Sequence, residues 1–408
     1  MFALQKQLLS QNNFRNFVLS CVLAMFGNGL TYISMIWVLL QIENTVASTA
    51  MLMTAFWLPN VILGPFAGTL VDRFDRRKLL IVCNCIRGII LCLFSLLLMM
   101  HFSAVLIYIL AAFSGMVLAF YVPAAISFVR EVVEEPQLLA ANAIIDIGYE
   151  LGAVLGMGVA GLLLAVFSAS GCFLINGFCY LLASVLVYFA PTTYKIKCSS
   201  HQESLKLQFI AGARYIARRR TLMLMYVLQG IFFVSYMTAP VLLAPFAKSV
   251  LHADVLHFGI LEAVLSIGIV AGGVLTPWFV NKFGAQNIIL WQIIVGLTGF
   301  FGFSHSVLFQ WAVLFHLLIG ISFSMWALLT TMAQEMTALS YQGRVQSIFN
   351  SFSGAVILIF YYMLGHMQRY RIESLYNIQI VLYVLAILVF IFQWRARTRQ
   401  QVSVDMTG

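Results

Sequence analysis

The sequence predicts an all-α membrane protein: twelve transmembrane helices in two six-helix bundles, with both termini cytoplasmic. Three observations predict it. Of 408 residues, 62% are hydrophobic and only 9% are charged. The apolar residues gather into runs long enough to cross a bilayer, and the basic residues fall almost wholly on one side of those runs. A soluble domain is about half apolar and about a quarter charged. A chain with a mean hydropathy of +0.97 has too little polar surface to cover itself in water.

A helix needs roughly 20 mainly apolar residues to span the hydrocarbon core. Runs of that kind lie at 14–40, 48–71, 79–100, 102–122, 139–167, 171–190, 221–247, 257–280, 287–306, 308–332, 344–366 and 374–394. A closed barrel would instead show short segments of alternating polarity, which are absent. The first run is long enough to span and follows a single lysine, Lys6, so it does not read as a cleaved signal peptide.

Lysine and arginine mark the cytoplasmic side. With the N-terminus inside, nineteen basic residues fall on the inner side and three (Lys248, Arg369, Arg371) on the outer, while Arg87 lies within a span. The net charge of +9 is then a consequence of topology and calls for no nucleic-acid partner. The longest polar stretch, 191–220, divides the spans six and six. The expected domains are an N-terminal bundle over 1–190, a cytoplasmic linker over 191–220, and a C-terminal bundle with a basic tail over 221–408. The linker's second part, SLKLQFIAGARYIARRR, reads as a basic amphipathic helix on the membrane surface.

The halves are weakly similar. GTLVDRFDRR at 68–77 aligns with PWFVNKFGAQ at 277–286, each after the second span of its half. FYVPAAISFVRE at 120–131 is similar to FSMWALLTTMAQE at 323–335. Parallel six-span repeats with a site between them describe one large class of secondary transporters. Seven cysteines show no metal-ligand or redox spacing, so no metal or cofactor is expected. No phosphate-binding loop, HExxH or nucleophile elbow is present. These absences argue against ATP as direct fuel and against an enzyme.

The pattern G-x-x-x-D-R-x-x-R-R, here Gly68, Asp72, Arg73, Arg76 and Arg77, resembles motif A of the major facilitator superfamily. The run 26–80 and the segments PQLLAANAI, ILEAVLSIGIVAGGV and YQGRVQSIF are similar to its twelve-span drug-efflux branch, which contains macrolide efflux pumps and the enterobactin exporter. The resemblance implies the major facilitator fold and a gate-latch role for Asp72, with the start of the eleventh span near Gly343 and Arg344 as partner. It also implies a cavity lined by the first, fourth, seventh and tenth spans. The chain departs from the branch at Asn28 and Asn84, where the branch often has acids, and at Asp75, where it has glycine. The fifth span has a glycine ladder (Gly148, Gly152, Gly156, Gly161) but no Gly-Pro.

Ionisable residues inside spans are costly and usually functional. Asp146 and Glu150, four residues apart, share a helix face. Glu150, the deeper, is the first candidate for a proton or cation site, and Glu262 in the eighth span is the second. Asp146 is a further candidate and can also pair with Arg87 or Arg130. Arg87 and Asn28 are substrate or proton candidates, and His316 is a weaker one. The same side chains could equally be buried salt bridges or hydrogen bonds that set packing. Tyr32, Trp37, Tyr121, Tyr149, Tyr236 and Trp326 are candidate cavity aromatics, in a chain with 34 phenylalanines where most rings pack or face lipid.

The expected function is proton-coupled export of a hydrophobic or amphipathic small molecule, a drug such as a macrolide or a siderophore, across a bacterial-type inner membrane. The alternatives are import of a siderophore or nutrient, or lipid flipping, on the same fold, and more remotely a membrane enzyme or sensor. The expected partners are substrate, protons and the bilayer, and the expected state is a monomer.

Overall fold

The computed structural model describes residues 7–71, 74–100, 103–134, 137–191, 205–367 and 369–405. Among them, helices run in the order α1 (Asn12–Ile42), α2 (Val46–Val71), α3 (Arg76–Met100), α4 (Ala104–Val132), α5 (138–167), α6 (169–188), α7 (Leu205–Ala217), α8 (Arg220–Ser249), α9 (Val255–Phe283), α10 (Ala285–Ser304), α11 (Phe309–Phe323), α12 (Met325–Glu335), α13 (Leu339–His366), α14 (Ile372–Leu375) and α15 (Asn377–Asp405). Eleven helical stretches among the described residues are long and apolar enough to cross a membrane. One of them holds two spans: the stretch Leu138–Tyr188 is interrupted at Ser168, whose φ of 60° and ψ of 173° are not helical.

The contacts of α1 show that the chain reverses there. Going up α1, Val22 and then Phe26 meet Gly148, Gly152 and Gly156 in rising order, so α5 runs parallel to α1. Ser20 donates to the Ala183 carbonyl at 2.8 Å and Asn176 donates to the Gly27 carbonyl at 2.9 Å, a falling order, so α6 runs antiparallel. The fifth and sixth predicted spans are therefore two helices. The tenth is a broken one: Ser324 separates α11 from α12, and its hydroxyl donates to the Ile321 carbonyl at 2.7 Å, the kind of back-bonding that bends helices. The fourth helix runs about three turns past its predicted end, through Pro123 to Val132, because the polar end carrying Arg130 stays helical beyond the apolar run.

The chain divides into two compact units, 1–200 with 253–263 and 201–252 with 264–408, so the division falls within α9. In the first unit, small residues let helices approach closely, as in membrane bundles generally. Gly88 of α3 lies against the Gly177 carbonyl of α6, and Gly161 of α5 against Gly259 of α9. In the second unit, side-chain hydrogen bonds join the helices. Gln379 of α15 donates to Thr238 of α8 at 2.8 Å and accepts from Ser235 at 2.5 Å. Gln292 of α10 donates to Thr276 of α9 and to Ser324, each at 3.0 Å. Phe300, Phe303, Tyr376 and Tyr383 pack ring against ring beside them. With water absent from the hydrocarbon, such pairing is how buried polar groups are tolerated.

Candidate functional site

The charged turn between α2 and α3 is built from local rules. Asp75 precedes the first residue of α3, and its carboxylate accepts a hydrogen bond from the Lys78 backbone N–H at 3.0 Å. It is an N-cap. In the aligned turn of the second half, Gly284 holds the same place before α10 with a φ of +82°. One half fits its turn with glycine's conformational freedom and the other with a side-chain cap. Asp75→Ala should therefore lower stability by about 1 kcal/mol, read as a lower melting temperature of the purified protein. Asp75→Ser should melt close to wild type, and equal losses in both variants would show that the cap is not what matters.

Arg76 and Arg77 staple this turn to two other helix ends of the same unit. Arg76 forms a 2.6 Å ion pair with Glu131 at the end of α4, both side chains mostly buried. Arg77 donates to the Val187 carbonyl at 3.4 Å and to the Tyr188 carbonyl, and its guanidinium lies 5.5 Å from the Tyr188 ring. A cation on the last carbonyls of α6 is favourably placed against that helix's dipole. Asp72 and Arg73 lie outside the described residues, as do the surroundings of Gly68 and the side chain of Asp146.

Deeper in the same unit is a buried polar cluster centred on Arg87 of α3. Arg87 is 3% exposed and donates from Nη2 to Asn28 Oδ1 of α1 at 3.1 Å. Its guanidinium carbon lies 4.6 Å from the Tyr180 ring centre and 5.9 Å from that of Tyr121, within cation–π range. Cys21 and Tyr121 are buried beside it, and Thr31 donates to the Gly27 carbonyl at 2.9 Å. Among the described residues, Arg87 Nη1 and both amide atoms of the fully buried Asn84, one turn earlier, have no hydrogen-bond partner, and no carboxylate pairs with Arg87. Buried charges are normally paired; among the described residues this guanidinium rests instead on an amide oxygen and two aromatic rings.

The acids separate. Glu150 is exposed. It sits two residues from Gly148 and Gly152, about 200° round the helix, hence away from the face that packs on α1. Glu262 is 3% exposed, on the α9 face whose Gly259 and Ala263 pack against Gly161 and Gly158 of α5. One turn before it, Phe258 stacks on Trp37 of α1 at 5.8 Å. Among the described residues no lysine, arginine or histidine pairs with Glu262. Sequence spacing ranked Glu150 first by depth, but depth along a helix does not say which side of it a residue takes.

The remaining candidates pack. Tyr236 meets Phe323 edge-on at 4.9 Å, and Trp326 lies among Phe232, Phe233 and Phe349 at 5.7–6.4 Å. Tyr32 is half-buried on α1. His316 is 3% exposed against Phe303, and neither ring nitrogen has a hydrogen-bond partner among the described residues. Sequence reasoning missed Glu131 as the partner of Arg76 and Tyr180 as the platform for Arg87. Neither carries a local signal, since each becomes a partner only through tertiary packing.

A polytopic helical bundle with ionisable side chains buried among its spans places the chain in the class of multi-pass membrane proteins. The chain belongs to the Major Facilitator Superfamily, whose family model matches residues 17–361. It is 28% identical over 153 residues to the uncharacterized MFS-type transporter YfiS of Bacillus subtilis (37% of this chain, 35% of YfiS). It is 26% identical over 146 residues to the multidrug efflux pump Tap of Mycolicibacterium fortuitum (34% of this chain, 36% of Tap). The chain thus spans about a third of the length of these relatives it matches. Among solved structures it resembles a mutant form of the nucleoside transporter NupG, with a TM-score of 0.73 at 14% identity over 94% of this chain and 100% of that one. It also resembles a bacterial homologue of the iron transporter ferroportin in an inward-facing state, with a TM-score of 0.70 at 15% identity over 93% and 98%. The fold is thus that of an MFS transporter, integral to the membrane and multi-pass.

Proposed function

We propose that the protein is a secondary active exporter of an amphipathic small molecule, working by alternating access in exchange for protons. The observation that carries this reading is a pair of buried ionisable side chains, Arg87 and Glu262, neither of which has an opposite charge against it among the described residues. Such groups are expensive in a membrane protein unless function uses them. Arg87, held by Asn28, offers a substrate anion a guanidinium, and Asn84 beside it an amide with no partner among the described residues. Glu262 offers a carboxyl that can take up and release a proton as access alternates. Weak similarity to a pump named for multidrug efflux supports the outward direction. The charge asymmetry supports cytoplasmic termini and a bacterial-type inner membrane, and the six-plus-six span pattern supports two rocking halves in a monomer. Asp72 is proposed as an acid of the gate. Within the substrates open to this branch, a guanidinium with no carboxylate partner among the described residues favours acidic, siderophore-type molecules over basic drugs.

A second reading, import or lipid flipping on the same fold, is favoured by Asn28, where the branch often has an acid, and by the fifth-span glycine ladder that lacks Gly-Pro. Cell accumulation separates the two. With an anionic dye (anilinonaphthalene sulfonate) and a neutral one (phenylnaphthylamine), deletion of the protein should raise accumulation of the anionic dye. Complementation with Arg87→Gln should fail for that dye. Lower accumulation in the deletion strain would reverse the direction, and equal behaviour of both dyes in Arg87→Gln would remove the anion assignment.

A further inference from the structure

A second basic site belongs to the second unit, where the surface helix α7 meets the transmembrane helices of its own unit. A cavity of about 610 Å³ is lined by Ala211, Arg214, Tyr215, Arg218, Arg219 and Tyr341. Its wall is rigid. Tyr215 stacks on Tyr341 with ring centres 4.3 Å apart, and its hydroxyl accepts a hydrogen bond from the Ala338 backbone N–H at 2.9 Å. The Arg219 guanidinium lies 3.7 Å from the Tyr215 ring centre, so the side chain is held by its face while its N–H edge remains available. Gly212 brings α7 against the backbone of Arg344 on α13, where an added Cβ would lie 3.2 Å from the carbonyl carbon. Among the described residues none of Arg214, Arg218 and Arg219 is paired with a carboxylate.

We propose that this cavity binds the phosphate of an anionic phospholipid headgroup. Guanidinium forks match phosphate oxygens in geometry and charge, and three of them converge on one cavity. Depth selects the lipid over a soluble phosphate. Arg218 and Arg219 are the two residues directly before α8, a transmembrane helix, which puts their charges at the membrane–water boundary where headgroup phosphates lie. Basic pockets beside membrane helices bind acidic headgroups by this chemistry. A bound lipid would tie α7, the connection between the two sets of six spans, to the leaflet beside it.

The test uses the full chain, purified and delipidated, with phosphatidylglycerol, phosphatidylcholine or inorganic phosphate added. Retained lipid is read by native mass spectrometry and stability by thermal melting. Phosphatidylglycerol should be retained and raise the melting temperature, while phosphatidylcholine and inorganic phosphate should not. The R214Q/R218Q/R219Q variant should bind phosphatidylglycerol more weakly by on the order of a hundredfold, the effect of removing three interfacial charges. R369Q/R371Q should bind it as wild type does. A photoactivatable phosphatidylglycerol should label wild-type peptides containing 211–219 and 341, which tests the site even if the triple variant does not fold. Equal retention of both lipids, labelling elsewhere, or equal loss in R369Q/R371Q would overturn the proposal. A melting shift reproduced by inorganic phosphate alone would overturn the lipid assignment in favour of a soluble phosphate.

Discussion

Glu262→Gln is expected to reduce gradient-driven export to the level of empty vesicles while leaving a folded protein. Glutamine matches glutamate in size and hydrogen-bonding reach but cannot take up or release a proton. Glu262 is almost completely buried, and among the described residues no base pairs with it. The substitution therefore breaks no ion pair among them and removes a charge from a site that would not hold it cheaply. Stability should stay level or rise. Transport of the anionic dye in proteoliposomes should lose its dependence on a proton gradient, while dye–dye exchange, which needs no net proton movement, should persist. Wild-type gradient dependence in the variant would remove Glu262 from the coupling step. Glu150→Gln is the informative comparison. Its side chain is exposed and turned from the α1 face of α5, and it should leave coupling in place.

The spans were legible because their signal is local. A run of some 20 apolar residues says helix regardless of what it packs against. The same locality explains the differences. The apolar-run rule ends the fourth span where polarity returns, while the backbone of α4 continues to Val132. The break between α5 and α6, by contrast, lies where the runs 139–167 and 171–190 left it, and there Ser168 carries the non-helical backbone.

The candidate site was legible by residue type and not by partner. Arg87 stands out in any reading as an arginine within a span. Its neighbours Asn28, Tyr121 and Tyr180 come from three other helices, and nothing in their spacing points to it. Asp75 had no role in sequence because capping depends on where the helix begins, which composition places only to within a few residues. Once α3 is seen to start at Arg76, the three-residue spacing to Lys78 explains it. One part was recoverable: Gly148, Gly152 and Gly156 define the face of α5 that meets α1, and Glu150 is off that face by helical geometry alone.

Gly156→Val should prevent the protein from folding to a stable, monodisperse species. The position is set by α1, whose backbone passes so close that an added Cβ would collide with the Phe26 carbonyl oxygen and lie 2.9 Å and 3.0 Å from its carbonyl carbon and Cα. Backbone atoms cannot rotate aside as a side-chain tip can, so the helices would have to separate. That separation would propagate, because Gly152 meets the Val22 carbonyl one turn earlier and Gly29 of α1 meets Met157 from the other side. Overpacking of a close-packed interior typically costs about 1–3 kcal/mol, occasionally more. Here the obstacle is main chain along a shared seam, and the same seam fixes the α1 end of the Arg87–Asn28 hydrogen bond. Gly273→Ala is the control, since nothing lies within 4 Å of a Cβ there. By helix propensity it should be neutral or stabilising by up to about 1 kcal/mol. Size-exclusion profiles and melting curves of the two variants distinguish close approach from a general intolerance of substitution. A Gly156→Val protein that purifies and melts like Gly273→Ala would mean that α1 and α5 are not packed through this seam.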